Sequence, residues 1–213
     1  MAAVVAHEIR NPLGSIVMAA QQLTDESLSR EDKNTVTRVL RTESKRLNEA
    51  LSNFLSYARP RPMNSGQNDL NALLSEVTRM AFVNKDLTGD ARLSLMLDED
   101  LAPFPFDADQ IRQVVWNILL NAIQVLGGTG TVSASSGKGE GSAWFAISDT
   151  GAGIPESIRA DLFKPFRTTK QQGTGLGLPI AESIVKAHGG RIDVETRLGL
   201  GTTFTVTLPH IED

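Results

Sequence analysis

The chain has 213 residues, is 40% hydrophobic and 22% charged, and carries a net charge of −4. It holds no cysteine, which excludes disulfides, zinc–thiolate sites and cysteine nucleophiles. The acidic balance argues against a nucleic-acid partner, and no run of eighteen apolar residues is present to cross a membrane.

The opening MAAVVAHEIR runs from apolar to charged, the reverse of a secretory leader. It also begins inside a helical pattern, as a piece cut from a longer protein would. We therefore expect a cytoplasmic fragment with no membrane contact of its own. The full-length protein is either soluble or membrane-anchored.

Residues 1–59 carry two helical stripes, Val5, Ile9, Ile16, Ala20 and Leu23, then Val36, Leu40, Leu47, Leu51 and Phe54, each at spacings of three, four and seven. Between them Ser29 and Asp32 form a capping-box pattern. A hairpin so thin cannot bury both stripes alone, and two copies in a four-helix bundle can. The expectation is a homodimer through residues 1–59. Residues 60–67, with Pro60, Pro62, Ser65 and Gly66, read as a linker.

Residues 68–213 mix helices and strands. Helices are expected over 70–82, 107–126 with Asp107 as N-cap, and 176–188 closed by Gly189 and Gly190. Strands are expected over 92–97, 129–135, 142–149, 191–196 and 202–208. The glycine-rich 137–141 joins the second and third. The fold class is an all-α hairpin followed by an α+β sandwich with helices on one face of a mixed sheet.

His7 lies about 200° around the helix from both Val5 and Ile9 at 100° per residue, so it faces away from the buried stripe. Position alone favours a solvated surface histidine. Glu8 beside it can orient the imidazole or take its Nδ1 proton as Nε2 attacks. Asn11 is one turn along on the same face. Pro12 has no N–H to give the carbonyl of Glu8, so the helix is expected to bend or loosen there. A zinc protease helix is excluded because residue 11 is asparagine and the only other histidines are His188 and His210. His188 is expected to cap a helix C-terminus, and His210 to do nothing specific.

Four further segments suit phosphates and a base. Asn117 and Asn121 are four apart on a helix whose Val114, Val115, Ile118 and Leu119 pack inward, and their amide oxygens suit a Mg²⁺ also held by phosphates and water. Asp149 can accept from an exocyclic amine such as adenine N6, and Gly151 and Gly153 let the backbone approach a flat base. Gly173, Thr174, Gly175, Leu176 and Gly177 open a helix whose free N–H groups bind phosphate. The threonines Thr202 and Thr203 near the last turn can complete the base pocket. Between the second and third segments, Lys164, Arg167, Thr168, Thr169 and Lys170 lie in a polar, proline-broken stretch that reads as a mobile lid. Taken singly, each segment is matched by an ordinary helix surface, turn or loop.

Their order is more specific. From His7–Leu13 through Asn117–Asn121, Asp149–Gly153, Phe163–Phe166 and Gly173–Gly177 to Gly199–Thr202, the chain resembles the transmitter core of bacterial sensor histidine kinases. The match is to the large class with a His-Glu-x-x-Asn phospho-acceptor motif. The resemblance covers essentially the whole chain. It implies a dimerisation and phosphotransfer hairpin and a Bergerat-type ATP-binding sandwich. It further implies ATP and Mg²⁺ as cofactors, and a response-regulator receiver domain as partner. It makes His7 the phospho-acceptor, Glu8 its base or orienter, Asn121 a Mg²⁺ ligand with Asn117 beside it, and Asp149 the reader of adenine. Asn11 takes the position associated with phosphatase activity. Arg167 departs from the pattern, since many members have a lid phenylalanine there. Two rival readings are a conformational ATPase of the wider Bergerat group and a non-catalytic dimeric docking module.

Overall fold

The computed structural model describes residues 2–24, 28–58, 61–168 and 175–210; the side chains of residues 2–8, 46, 49, 50, 52, 53 and 56–58 are not among those described. The chain divides into two compact units, residues 1–60 with 166–176, and residues 61–165 with 177–213.

The first unit holds α1 (Ala2–Leu23) and α2 (Arg30–Ala58), packed against each other. Ser29 starts α2 by accepting the N–H of Asp32 on its Oγ at 3.1 Å, which satisfies one of the unpaired donors of the first turn. Pro12, Ala19 and Val36 are buried, whereas Ala20 and Leu51, both expected to be inside, are exposed. Leu13, Val17, Met18, Val39, Leu51 and Leu55 leave a broad apolar surface. Two helices have too few neighbours to cover a stripe this wide. No helix among the described residues is long and apolar enough to cross a membrane.

The second unit is a two-layer sandwich. In chain order it contains β1 (Gly66–Asn68), α3 (Leu70–Val83), α4 (Lys85–Thr88), β2 (Arg92–Met96), β3 (Phe104–Phe106), α5 (Ala108–Leu126), β4 (Thr131–Gly139), β5 (Ser142–Asp149), α6 (Glu156–Arg159), α7 (Gly177–Ala187), β6 (Arg191–Arg197) and β7 (Gly201–Pro209). Five strands form a mixed sheet in the order β2-β4-β5-β7-β6. Only β2 and β4 are parallel; the other pairs are antiparallel.

Alternation along the strands puts one side of the sheet against the helices. Val132, Ala134, Phe145, Ile147, Phe204, Val206 and Leu208 meet Leu74 and Val77 of α3, Ile111, Val115, Ile118 and Leu119 of α5, and Val185 of α7 in one core. The opposite side is covered by short hydroxyl side chains, among them Ser133, Ser135, Ser148, Thr203, Thr205 and Thr207, all half-buried. Trp144 lies on that side over Gly137, where a Cβ would come within 2.6 Å of its indole ring. The glycine-rich 137–141 is therefore not the loop it was expected to be. Gly137 to Gly139 continue β4, and Gly137 gives the indole room.

The expected linker also differs from its reading. Gly66–Asn68 pair with Phe104–Phe106 as a second, two-stranded sheet. Upstream, Arg61 O accepts from Gln110 Nε2 at 3.3 Å and the N–H of Asn64 donates to Asp107 Oδ2 at 2.8 Å. Residues 61–68 are thus fastened to the start of α5. Asp107 caps α5 as expected, accepting the N–H of Gln110 at 3.0 Å. Burial alone would raise its carboxyl pKa, but the N–H groups of Asn64 and Gln110 outweigh this and hold it below the usual value.

His210, expected to be idle, is buried. Its ring centroid lies 4.8 Å from that of Phe104, and its backbone N–H donates to Gly141 O at 3.0 Å. The imidazole extends an aromatic cluster that includes Phe106, the rings tilted against one another by 37° and 50°. The contact joins β3 to the end of β7, two segments far apart in the chain, so nothing local announced it.

Candidate functional site

Asn117 and Asn121 are half-buried one turn apart on α5, set by the inward packing of Val114, Val115, Ile118 and Leu119 on the other side. The Nδ2 of Asn117 donates to Gly177 O at 3.1 Å. Gly177 opens α7, so this bond ties the middle of α5 to the N-terminal turn of α7. Pro179 sits within that first turn, where no N–H is needed. The unpaired N–H groups and positive end of the dipole favour an anion there. Gly177, unlike Gly153 and Gly201, keeps an ordinary φ.

Asp149 ends β5 and is buried, 7% exposed. Its Oδ1 accepts the N–H of Gly151 at 2.8 Å, a local turn that aspartate favours. Its cross-strand partners are Val132 and Thr202. Directly opposed residues share a face, so Asp149 and Thr202 both lie on the helix-covered side. Thr203 is opposed to Ser148 and bonds it, Oγ to Oγ1, at 2.7 Å on the other side. This corrects the expectation that both threonines line one pocket: Thr203 faces away from Asp149, and Thr202 is the one beside it. Register counted across two strands decides this, and that count is available only once the pairing is known.

The loop after β5 is stitched to the turn between β6 and β7. Ile154 N–H donates to Thr196 Oγ1 at 2.8 Å, and Gly199 N–H donates to Ala152 O at 2.8 Å. Thr196 Oγ1 gives its own proton to Gly201 O at 3.2 Å, which leaves Thr202 as donor in their 3.0 Å hydroxyl pair. Gly153, with φ 73°, and Gly201, with φ 108°, adopt left-handed backbone that other residues reach at a cost. A Cβ on Gly153 would strike Arg197 O, and one on Gly201 would strike Asp149 O. Gly151 packs closely on Val125 of α5, one turn beyond Asn121. The structure therefore brings Asp149, Gly151, Gly153 and Thr202 together beside the C-terminal half of α5.

In the stretch after α6, Lys164 Nζ is paired with Asp161 Oδ1, and the lysine is 62% exposed. Such an exposed pair is worth about 0.3–0.5 kcal/mol and gives way readily to a stronger anion. Phe166 has φ 64°, the one left-handed non-glycine among the described residues. Its N–H donates to Gly175 O at 3.0 Å, and Gly175 itself has φ 62°. Arg167 and Thr168 are exposed and Leu176 is buried. Thr169, Lys170, Gly173 and Thr174 lie outside the described residues.

His7 and Glu8 lie in α1, with their side chains outside the described residues. Asn11 is exposed, and its carbonyl accepts Ser15 Oγ at 3.4 Å. Pro12 is buried, and α1 continues through it to Leu23 without a break.

The description "Histidine kinase-, DNA gyrase B-, and HSP90-like ATPase" matches residues 106–212, and "His Kinase A (phospho-acceptor) domain" matches residues 1–62. The chain is 34% identical over 210 residues to sensor histidine kinase ZraS of Escherichia coli, covering 98% of this chain and 45% of that protein. The fold resembles histidine kinase ThkA in complex with response regulator protein TrrA, with a TM-score of 0.80, 28% identity, and coverage of 99% of this chain and 61% of that one. It also resembles full-length ShkA in complex with AMPPNP, with a TM-score of 0.76, 25% identity, and coverage of 99% and 46%. The chain belongs to the histidine kinase-, DNA gyrase B- and HSP90-like ATPases and, with a phospho-acceptor domain ahead of the ATP-binding one, is the catalytic core of a two-component sensor histidine kinase. It spans about half the length of the curated relatives it matches.

Proposed function

We propose that the chain transfers the γ-phosphoryl group of ATP to Nε2 of His7 and passes it on to an aspartate of a response-regulator receiver domain. The reading is supported above all by one chain carrying both parts the reaction needs. A phospho-acceptor hairpin is joined to an ATP-binding sheet in which Asp149 and the start of α7 flank the Asn117–Asn121 face of α5. In this reading Asp149 receives the adenine amine with Thr202 beside it, and the first turn of α7, with Gly173 to Gly177, receives phosphate. Lys164, Thr168, Thr169 and Lys170 come from the lid. Glu8 orients His7 or takes its Nδ1 proton. The amide oxygens of Asn121 and Asn117 are the neutral donors suited to Mg²⁺, which supplies charge neutralisation on the phosphates when bound. ThkA, in complex with a response regulator, and ShkA, in complex with AMPPNP, are the relatives that lend this scheme its partner and its nucleotide.

In the proposed organisation, residues 1–59 form the phosphotransfer hairpin, 60–67 the connection and 68–213 the ATP-binding domain. The exposed apolar surface of α1 and α2 is covered by a second copy, giving a four-helix bundle. Light scattering should return twice the mass of the chain, and a stable monomer at micromolar concentration would remove the bundle. ATP and receiver domains place the work in the cytoplasm, whether the whole protein is soluble or anchored.

Asn11, exposed one turn from His7, is proposed to orient the water that removes phosphate from the partner. Asn11→Ala should leave labelling of His7 intact and slow loss of label from the phosphorylated receiver domain. The expected slowing is about tenfold or more, the range seen when one positioned polar group is lost. Equal loss of both activities would contradict this division.

A further inference from the structure

His188 was expected only to cap a helix. Its two ring nitrogens do different things. The N–H of Asp107 points at His188 Nε2 at 3.1 Å. A backbone N–H can only donate, so Nε2 must be the bare, accepting nitrogen. Nδ1 then carries the proton and donates to Ile184 O at 2.8 Å, a last-turn carbonyl that also accepts the backbone N–H of His188 at 3.1 Å. Each bond requires the tautomer the other requires. The ring thereby joins the C-terminus of α7 to the N-cap of α5.

The other end of α7 is joined to the middle of α5 by Asn117 and Gly177. The helices α5 and α7 are antiparallel, and α7 is pinned at both of its ends, to the N-cap and to the middle of α5, by bonds between a side chain and a backbone group. Between the pins lie Ile111, Val115, Ala181 and Val185, all buried in the core. Apolar contacts alone allow a helix to slide along its neighbour, whereas directional bonds at both ends do not. The first turn of α7 is thus held at a fixed height against Asn121. Asp107, which receives His188, also holds Asn64 through its carboxylate. The chain entering the domain is therefore fixed in the same frame.

We propose that His188 is a positioning residue for nucleotide binding: it fixes the register of α7 against α5 and so the distance between the phosphate-facing turn at Gly177 and the asparagine face of α5. The inference rests on the reading of that site as the ATP site. His188 touches no phosphate, and its action runs through the helix it holds.

The test compares His188→Phe, which keeps a flat ring but neither bond, with His188→Gln, whose amide can offer one donor and one acceptor. His188→Phe should raise the KM for ATP about fivefold, the factor that corresponds to one net hydrogen bond, with kcat at saturating ATP changed far less. His188→Gln should recover most of the affinity. Independently of any nucleotide, ¹⁵N shifts of the wild-type ring should report a protonated Nδ1 and a bare Nε2. A lowered melting temperature with unchanged KM would overturn the proposal, as would the opposite tautomer. Wild-type protein that binds no ATP would instead overturn the reading of the site, and this inference with it.

Discussion

A chain carrying His7→Gln takes up no acid-labile, base-stable label from γ-labelled ATP, while nucleotide titration by calorimetry still gives the wild-type affinity. Glutamine keeps a similar reach and a good helix propensity but offers no nucleophilic nitrogen, so the covalent step is lost outright. The separation of the two readouts carries the weight. His7 belongs to α1, whereas Asn117, Asn121, Asp149 and Thr202 belong to the second unit, so removing the proposed acceptor leaves that part of the proposed nucleotide site built. Label retained in this variant would mean that another residue accepts the phosphoryl group. Base-labile, acid-stable label on the wild type would be equally damaging to the assignment.

The second large effect is expected at Asp149. Its carboxylate is buried and one oxygen is held by the N–H of Gly151. Asparagine can keep that bond through its amide oxygen, so the turn and the strand register against Thr202 survive. What changes is the other position, which becomes an N–H₂ donor facing whatever the carboxylate accepted from. Replacing a charge-assisted bond by a donor–donor clash costs about 1.5–3 kcal/mol, or roughly ten- to a hundredfold in the Kd for ATP. The melting temperature without nucleotide should move little. Unchanged affinity with an intact fold would remove Asp149 from the adenine site.

Much of this molecule is legible in its sequence because its elements are punctuated locally. Asp107 and Gln110 announce the start of α5, and the apolar period of Val114, Val115, Ile118 and Leu119 fixes which side is inside. The mixed sheet follows from strand alternation and turn glycines. What escaped depends on pairing between distant segments. Phe104-Pro105-Phe106, with a proline at its centre, falls in no expected element, yet it is a short strand because Gly66–Asn68 lies alongside. His210 looked like tail until Phe104 was beside it. Thr202 and Thr203 are equivalent in sequence, and only the register with Asp149 and Ser148 assigns them to opposite faces. His188 was legible as a helix end, but its bond to Asp107 spans 81 residues.

The strand β6 lies at the end of the sheet order, so among the described residues one row of its backbone groups has no strand to pair with, and Arg159 Nη2 donates to Val194 O at 3.2 Å. Such an edge invites a second copy to add itself. Its exposed residues are Arg191, Asp193, Glu195 and Arg197, a plus-minus-minus-plus pattern symmetric about Val194. If two copies met edge to edge in antiparallel fashion about that centre, Arg191 would face Arg197 and Asp193 would face Glu195. Like charges directly opposed oppose pairing. The order of four charges thus disfavours that symmetric register. For a core proposed to pair through its helices, an edge unfavourable to this register removes one rival way for its sheets to associate.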